Sequence, residues 1–159
     1  MKTLKSIKGE VYPMICVYII IFVSLLALIF TYTSAISKVN IMRENTKVVL
    51  DSFVTENSVE IYQSIKQGND YTEVIKEDDF CTSFIEFCTL EMRGDKLYSI
   101  NEDGTEKYHL TIPTVSFRRE NELELTVNYT ISVPLSFAGL SFTTASIPIE
   151  VTSILTEKF

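Results

Sequence analysis

The sequence predicts an α+β chain: a long N-terminal transmembrane-plus-stem helix followed by a small antiparallel β-sheet head. Three features predict it. No charged side chain lies between Glu10 and Lys38. No Pro or Gly lies between Ile36 and Ile65, and apolar residues recur there at helical spacing. After Asp95 the apolar pattern alternates residue by residue, as strands do. These features divide the chain into four parts. Residues 1–10 are a cytoplasmic basic leader and 11–35 a transmembrane helix. Residues 36–68 form an extracytoplasmic helical stem, and 69–159 an α+β head.

Composition narrows the function classes. The 159 residues carry a formal net charge of −7, the wrong sign for a nucleic-acid surface. Three Cys are too few for a disulfide-dense scaffold, and one His with three scattered Cys leaves little for a zinc site. No cofactor motif and no catalytic constellation stands out, so the expectation is a protein that is not an enzyme.

The first element is the run from Tyr12 to Tyr32. A bilayer core of about 30 Å needs about 20 helical residues at 1.5 Å each, which this run supplies. Ser24 is its most polar residue near the middle, and a serine hydroxyl can bond back to the preceding turn. Tyr12 and Tyr32 stand where amphipathic rings favour the membrane interface. A secretory signal would use Lys2, Lys5 and Lys8 as its basic start and Thr33-Ser34-Ala35 as its cleavage site. Its apolar stretch, however, is usually about 7–15 residues. The longer run here reads as an anchor held by membrane lipid. Lys2, Lys5 and Lys8 before the span nearly balance Lys38, Arg43 and Lys47 after it. Setting aside those first three lysines and Glu10 leaves 11 basic and 20 acidic residues beyond the span. The short basic stub is therefore placed in the cytoplasm and the acidic remainder outside the cell membrane.

The helix is expected to continue past the membrane. Ile36, Val39, Met42, Val49, Phe53, Ile61, Tyr62 and Ile65 form one apolar stripe. Lys66-Gln67-Gly68 offers a basic last turn and a glycine stop. Ser58 suggests a break near Thr55-Glu56-Asn57-Ser58, where it could cap a second helix. The stripe must be covered, either by the chain's own C-terminal domain or by neighbouring helices in an assembly.

Within residues 70–91, Phe80, Phe84, Ile85, Phe87 and Cys88 suggest a short amphipathic helix starting near Asp70 or Asp78. Arg93-Gly94-Asp95 reads as a turn. The triplet matches an integrin-type adhesion motif, but three residues match by chance too often to carry that function. Lys96–Ile100 and Glu106–Thr111 read as a hairpin around Asn101-Glu102-Asp103-Gly104. Val115–Phe117 is a further strand. Glu122–Val133 alternates cleanly, with Leu123, Leu125, Val127, Tyr129, Ile131 and Val133 on one face, as in a half-wet antiparallel sheet. Pro134 to Gly139 is expected to break the chain. Leu140–Leu155 is the last strand, with Pro148 marking a sheet edge.

Candidate chemical residues are few. His109 lacks a second histidine or a nearby cysteine, so it reads as structural. Glu77-Asp78-Asp79 and Asn101-Glu102-Asp103-Gly104 lack the spacing of a calcium loop. Asn128-Tyr129-Thr130 fits a glycosylation sequon, which matters only in a eukaryotic secretory pathway. Cys81 and Cys88 lie on the presumed oxidising side and are a candidate disulfide. On one straight helix their Cα atoms would lie roughly 10 Å apart, beyond the reach of about 7 Å that a bridge allows, so bridging requires a bend.

The layout resembles type IV pilins and pseudopilins. A basic leader ends in Lys8-Gly9-Glu10, a membrane helix starts at once, and a β-rich head closes the chain. More narrowly it is similar to the TadE/TadF-like minor pilins of the tight-adherence (Tad) pilus, including the run from Leu125 to Leu135, a glycine loop and a last strand through Ile147 to Val151. The resemblance implies a pilin-like fold and a non-enzymatic minor or priming subunit. It implies cleavage between Gly9 and Glu10 by a prepilin peptidase, and packing of the N-terminal helix on other pilin-type subunits. Where such subunits usually carry a Glu, five residues into the processed chain, this sequence has Met14. The competing expectation is a single-pass membrane protein with an extracytoplasmic binding or sensory head, outside any filament.

Overall fold

The computed structural model describes residues 11–68, 76–119, 123–137 and 140–155. The first element, α1 (Val11–Gln67), is one unbroken helix of 57 residues, about 85 Å long at 1.5 Å per residue. Pro13 falls in its first turn, where a missing N–H leaves no helical bond unmade. Gly68 ends it at φ +71°, a left-handed value that glycine adopts without a side-chain clash. The expected break near Ser58 does not form. Thr55 Oγ1 donates to the Asp51 carbonyl at 2.7 Å, Asn57 Nδ2 to Phe53 at 2.8 Å and Ser58 Oγ to Thr55 at 2.8 Å. These side chains satisfy themselves inside the helix instead of capping a new one.

A short helix, α2 (Glu77–Cys88), follows. Glu77, Asp78 and Asp79 fill its first turn, where carboxylates complement the positive end of the helix dipole. Thr89 closes it in a left-handed conformation (φ 52°). Among the described residues six antiparallel strands follow: β1 (Glu91–Arg93), β2 (Lys96–Ile100), β3 (Glu106–Thr111), β4 (Thr114–Arg119), β5 (Leu123–Phe137) and β6 (Leu140–Leu155). β1 was not anticipated, while the Gly94-Asp95 turn that follows it was; Arg93 pairs with Lys96 across that turn.

β5 is the centre of the sheet. β6 runs along one edge for its full length. On the other edge, β4 pairs with residues 123–128 and β3 with Ser132 and Ile131. The expected break at Pro134 is corrected: β5 continues to Phe137. Beyond Ser132 the strand has β6 as its only neighbour among the described residues, and a proline is tolerated where one ladder is absent. Pro148 sits in β6, paired with Thr130, on a strand that the sheet flanks on one side only.

The inward face of β5 matches the alternation. Leu123, Leu125, Val127, Tyr129, Ile131 and Val133 are all buried. They pack against Ala35, Val39, Met42, Leu50, Phe53 and Ile61 of α1, so the stem stripe is covered by the chain's own sheet. Ile36, the first member of the expected stripe, stays exposed. α2 closes the far end with a ring ladder. Phe53 meets Phe80 edge-on at 5.6 Å, Phe80 stacks on Phe84 at 6.0 Å, and Phe84 leans on Tyr129 at 5.7 Å. Phe80 has no solvent exposure. Phe80→Ala should therefore lower the unfolding free energy by about 3–5 kcal/mol, whereas the exposed Phe87→Ala should stay within about 0.5 kcal/mol. Chemical denaturation in mild detergent, followed by near-UV circular dichroism, measures both.

Candidate functional site

The surface that demands a function is the first half of α1. It is long and apolar enough to span a membrane, and none of its most apolar window is buried in the fold. Ile20 is 64% exposed, Phe22 62% and Phe30 70%. Three of its hydroxyls are satisfied by the helix itself. Ser24 Oγ donates to the Ile20 carbonyl at 2.8 Å, Thr31 Oγ1 to Ala27 at 2.9 Å and Thr33 Oγ1 to Ile29 at 2.9 Å. Each closes its bond one turn back, as hydrocarbon surroundings require.

The second half of the same helix is fastened to the sheet by a buried polar node. Thr46 has no solvent exposure; its Oγ1 lies 2.6 Å from the Tyr129 hydroxyl and donates to the Met42 carbonyl at 2.6 Å. The Tyr129 hydroxyl also lies 3.3 Å from that carbonyl, and the Tyr108 hydroxyl donates to Met42 Sδ at 3.1 Å. Burial pushes Tyr129 up to about 12 and raises Tyr108 as well. At the rim, Lys47 Nζ donates to the Thr152 carbonyl at 2.9 Å and pairs with Asp51 at 2.9 Å. Ser153 Oγ donates to Asp51 Oδ1 at 2.6 Å. Partial burial works to raise the Asp51 carboxyl, but the Ser153 hydroxyl and the Lys47 ammonium outweigh it and hold it below the usual range. This rim pair is about half exposed and adds positioning more than stability.

The residues singled out in the sequence are dispersed. Gly9 and Glu10 lie outside the described residues. Cys81 and Cys88 are free thiols on the regular helix α2, without the bend a bridge requires. Burial, with Asp78 and Glu77, raises Cys81, and burial pushes Cys88 up to about 11. Both are therefore poor nucleophiles near neutrality. His109 Nδ1 is 2.7 Å from Glu106 Oε1, and its ring lies 5.4 Å from that of Tyr98. That is a strand-surface pairing. Asp103 Oδ1 accepts the Thr105 amide at 2.9 Å and serves the hairpin turn. Glu77 Oε1 accepts the Val115 amide at 3.0 Å, tying α2 to β4. Asn128 lies in mid-strand, paired with Thr114 on one side and Glu150 on the other. Among the described residues, no cluster of His, Cys, Asp or Glu could hold a metal ion.

Two features escaped the sequence reading. The Thr46–Tyr129 node joins residues 83 apart in the chain, so no local pattern announces it. The Lys47–Asp51 pair did carry a signal, its i,i+4 spacing on a helix.

No protein-family model, curated protein or solved structure matches this chain. Its uncovered apolar segment, long enough to span a membrane, and its fastened stem are therefore the features on which a function rests.

Tyr129 links this node to pH. An unfolded tyrosine ionises near about 10, while Tyr129 in the fold stays neutral up to about 12. Its contribution is complete below the unfolded value and is lost as pH rises through the folded one. Stability should fall between about pH 10 and 12, and Tyr129→Phe should remove the larger part of that slope. At neutral pH the same substitution should cost about 1 kcal/mol. Denaturant titrations at stepped alkaline pH read both effects; an unchanged alkaline slope in the variant would contradict the assignment.

Proposed function

We propose that this chain is a non-enzymatic, membrane-anchored, pilin-like subunit, a minor or priming component of a Tad-type pilus or a related secretion assembly. One observation carries the proposal. A single unbroken helix leaves its most apolar window uncovered and locks the part beyond it to a sheet. The uncovered half can be stored in a bilayer. It can leave the bilayer only where other apolar helices replace the lipid, because each exposed Å² is worth about 25 cal/mol against water. A bundle of parallel pilin-type helices supplies that replacement, with the head facing outward.

In this proposal the N-terminus is cytoplasmic and the head extracytoplasmic. A prepilin peptidase cuts after Gly9 and leaves Glu10 as the first residue. The sheet-bearing head suits a minor subunit better than a repeated filament unit. Met14 favours the second reading, an uncut single-pass protein with a binding or sensory head, because the acid usual at that place in pilins is missing.

Intact mass of the membrane-extracted protein separates the two: a chain starting at Glu10 supports the pilin proposal and one starting at Met1 the anchored head. In vivo crosslinking adds a second readout. Val39 and Phe53 are buried against the sheet and report nothing between molecules, whereas Ile41 and Val48 are about half exposed on α1. Cysteines at Ile41 and Val48 should give crosslinked species in cells carrying the secretion machinery. Monomers alone, with that machinery present, would contradict assembly.

A further inference from the structure

Where α1 leaves its apolar segment, an open groove of about 280 Å³ lies between helix and sheet. Phe30, Thr31, Ser34 and Lys38 form one wall, and Pro134 and Ser136 of β5 the other. Its place along α1 sets its depth. The apolar run ends at Tyr32, and the six residues to Lys38 add about 9 Å, so the groove occupies the headgroup layer of a spanned bilayer.

The sheet descends to the same level. Ser153, paired with Leu125, meets Asp51; Tyr129 meets Thr46; Val133 to Ser136 meet Phe30 to Lys38. β5 thus runs back toward the apolar segment of α1, and the Phe137–Leu140 pair marks the end of that hairpin closest to it.

The charge in the groove is unbalanced. Among the described residues Lys38 is its one cationic lining residue, and its Nζ reaches the Lys107 carbonyl at 3.5 Å. Burial, then the neighbouring Lys107 ammonium, lowers Lys38 from the usual lysine value, with no carboxylate acting in the other direction. Among the described residues neither lysine forms an ion pair. Glu106, next to Lys107 in the chain, is engaged by His109. The Ser34 and Ser136 hydroxyls make no hydrogen bond among the described residues. The Lys38 ammonium, with no carboxylate beside it, and two open hydroxyls call for an anion. The flanking Phe30 and Pro134 call for one that carries hydrocarbon.

We infer that this groove seats the headgroup of an anionic phospholipid, its phosphate on Lys38 and the Ser34 and Ser136 hydroxyls and its acyl chain beside the uncovered face of α1. The inference rests on the membrane anchor alone and needs no filament. Its consequence is mechanical: a lipid clamped at the base of the head restrains the tilt of the sheet against the bilayer.

Native mass spectrometry of the full chain in detergent, titrated with phosphatidylglycerol or phosphatidylcholine, tests it. The wild type should prefer phosphatidylglycerol by about fivefold, the value expected for one lysine facing an anionic headgroup. Lys38→Gln should abolish the preference, while Lys38→Arg keeps it. Lys66→Gln, at the other end of α1, should leave it unchanged. Millimolar inorganic phosphate should not displace the lipid. Equal binding of the two lipids, a preference that survives Lys38→Gln, or displacement by free phosphate would each overturn the lipid assignment. A chain that stays dissolved without detergent would overturn the anchor and the groove together; stable anchoring without lipid preference would overturn the groove alone.

Discussion

One constraint organises this molecule: a continuous helix is required to be apolar on all sides along one half and on one side along the other. The first half is long and apolar enough to cross a hydrocarbon layer, and the sheet covers the apolar side of the second. No hinge separates them, because α1 runs through Lys38 and through Ser58 without a break. The head is therefore rigidly oriented relative to whatever holds the uncovered half.

Fastening the stem to the sheet is a matter of specificity as much as of burial. Apolar contact between α1 and β5 would tolerate sliding by a helical turn. The Thr46–Tyr129 contact at 2.6 Å does not, because a displaced Tyr129 hydroxyl would be buried without a partner. Lys47, Asp51 and Ser153 repeat the same registration at the rim. The ring ladder from Phe53 to Tyr129 then ties α2 to the same point, so three elements share one locking position.

Much of this was legible in the residues. The uncharged stretch before Lys38 announces a helix long and apolar enough to span a membrane, and alternation from Leu123 to Val133 announces the buried face of β5. Other features were not legible, for physical reasons. Pro134 reads as a terminator, but a strand with one neighbour accepts it. Ser58 reads as a cap, but its hydroxyl turns back onto Thr55. β1 is a three-residue strand with every side chain exposed, so it has no burial pattern to detect. The cover for the stem stripe was ambiguous, because Val39 and Phe53 look the same whether sheet or neighbour lies opposite. The groove was invisible, since Lys38 and Ser136 meet only after the whole sheet has formed.

The most direct measurement of the central claim is the depth of α1 in a bilayer. Spin labels attached at Ser24→Cys and Ile41→Cys, in a chain whose native cysteines are replaced by serine, can be read for collision with oxygen and with a water-soluble nickel chelate. Residence of the uncovered half in hydrocarbon predicts that the label at position 24 meets oxygen and is shielded from nickel, while the label at 41 meets nickel. Equal nickel access at both positions would contradict it.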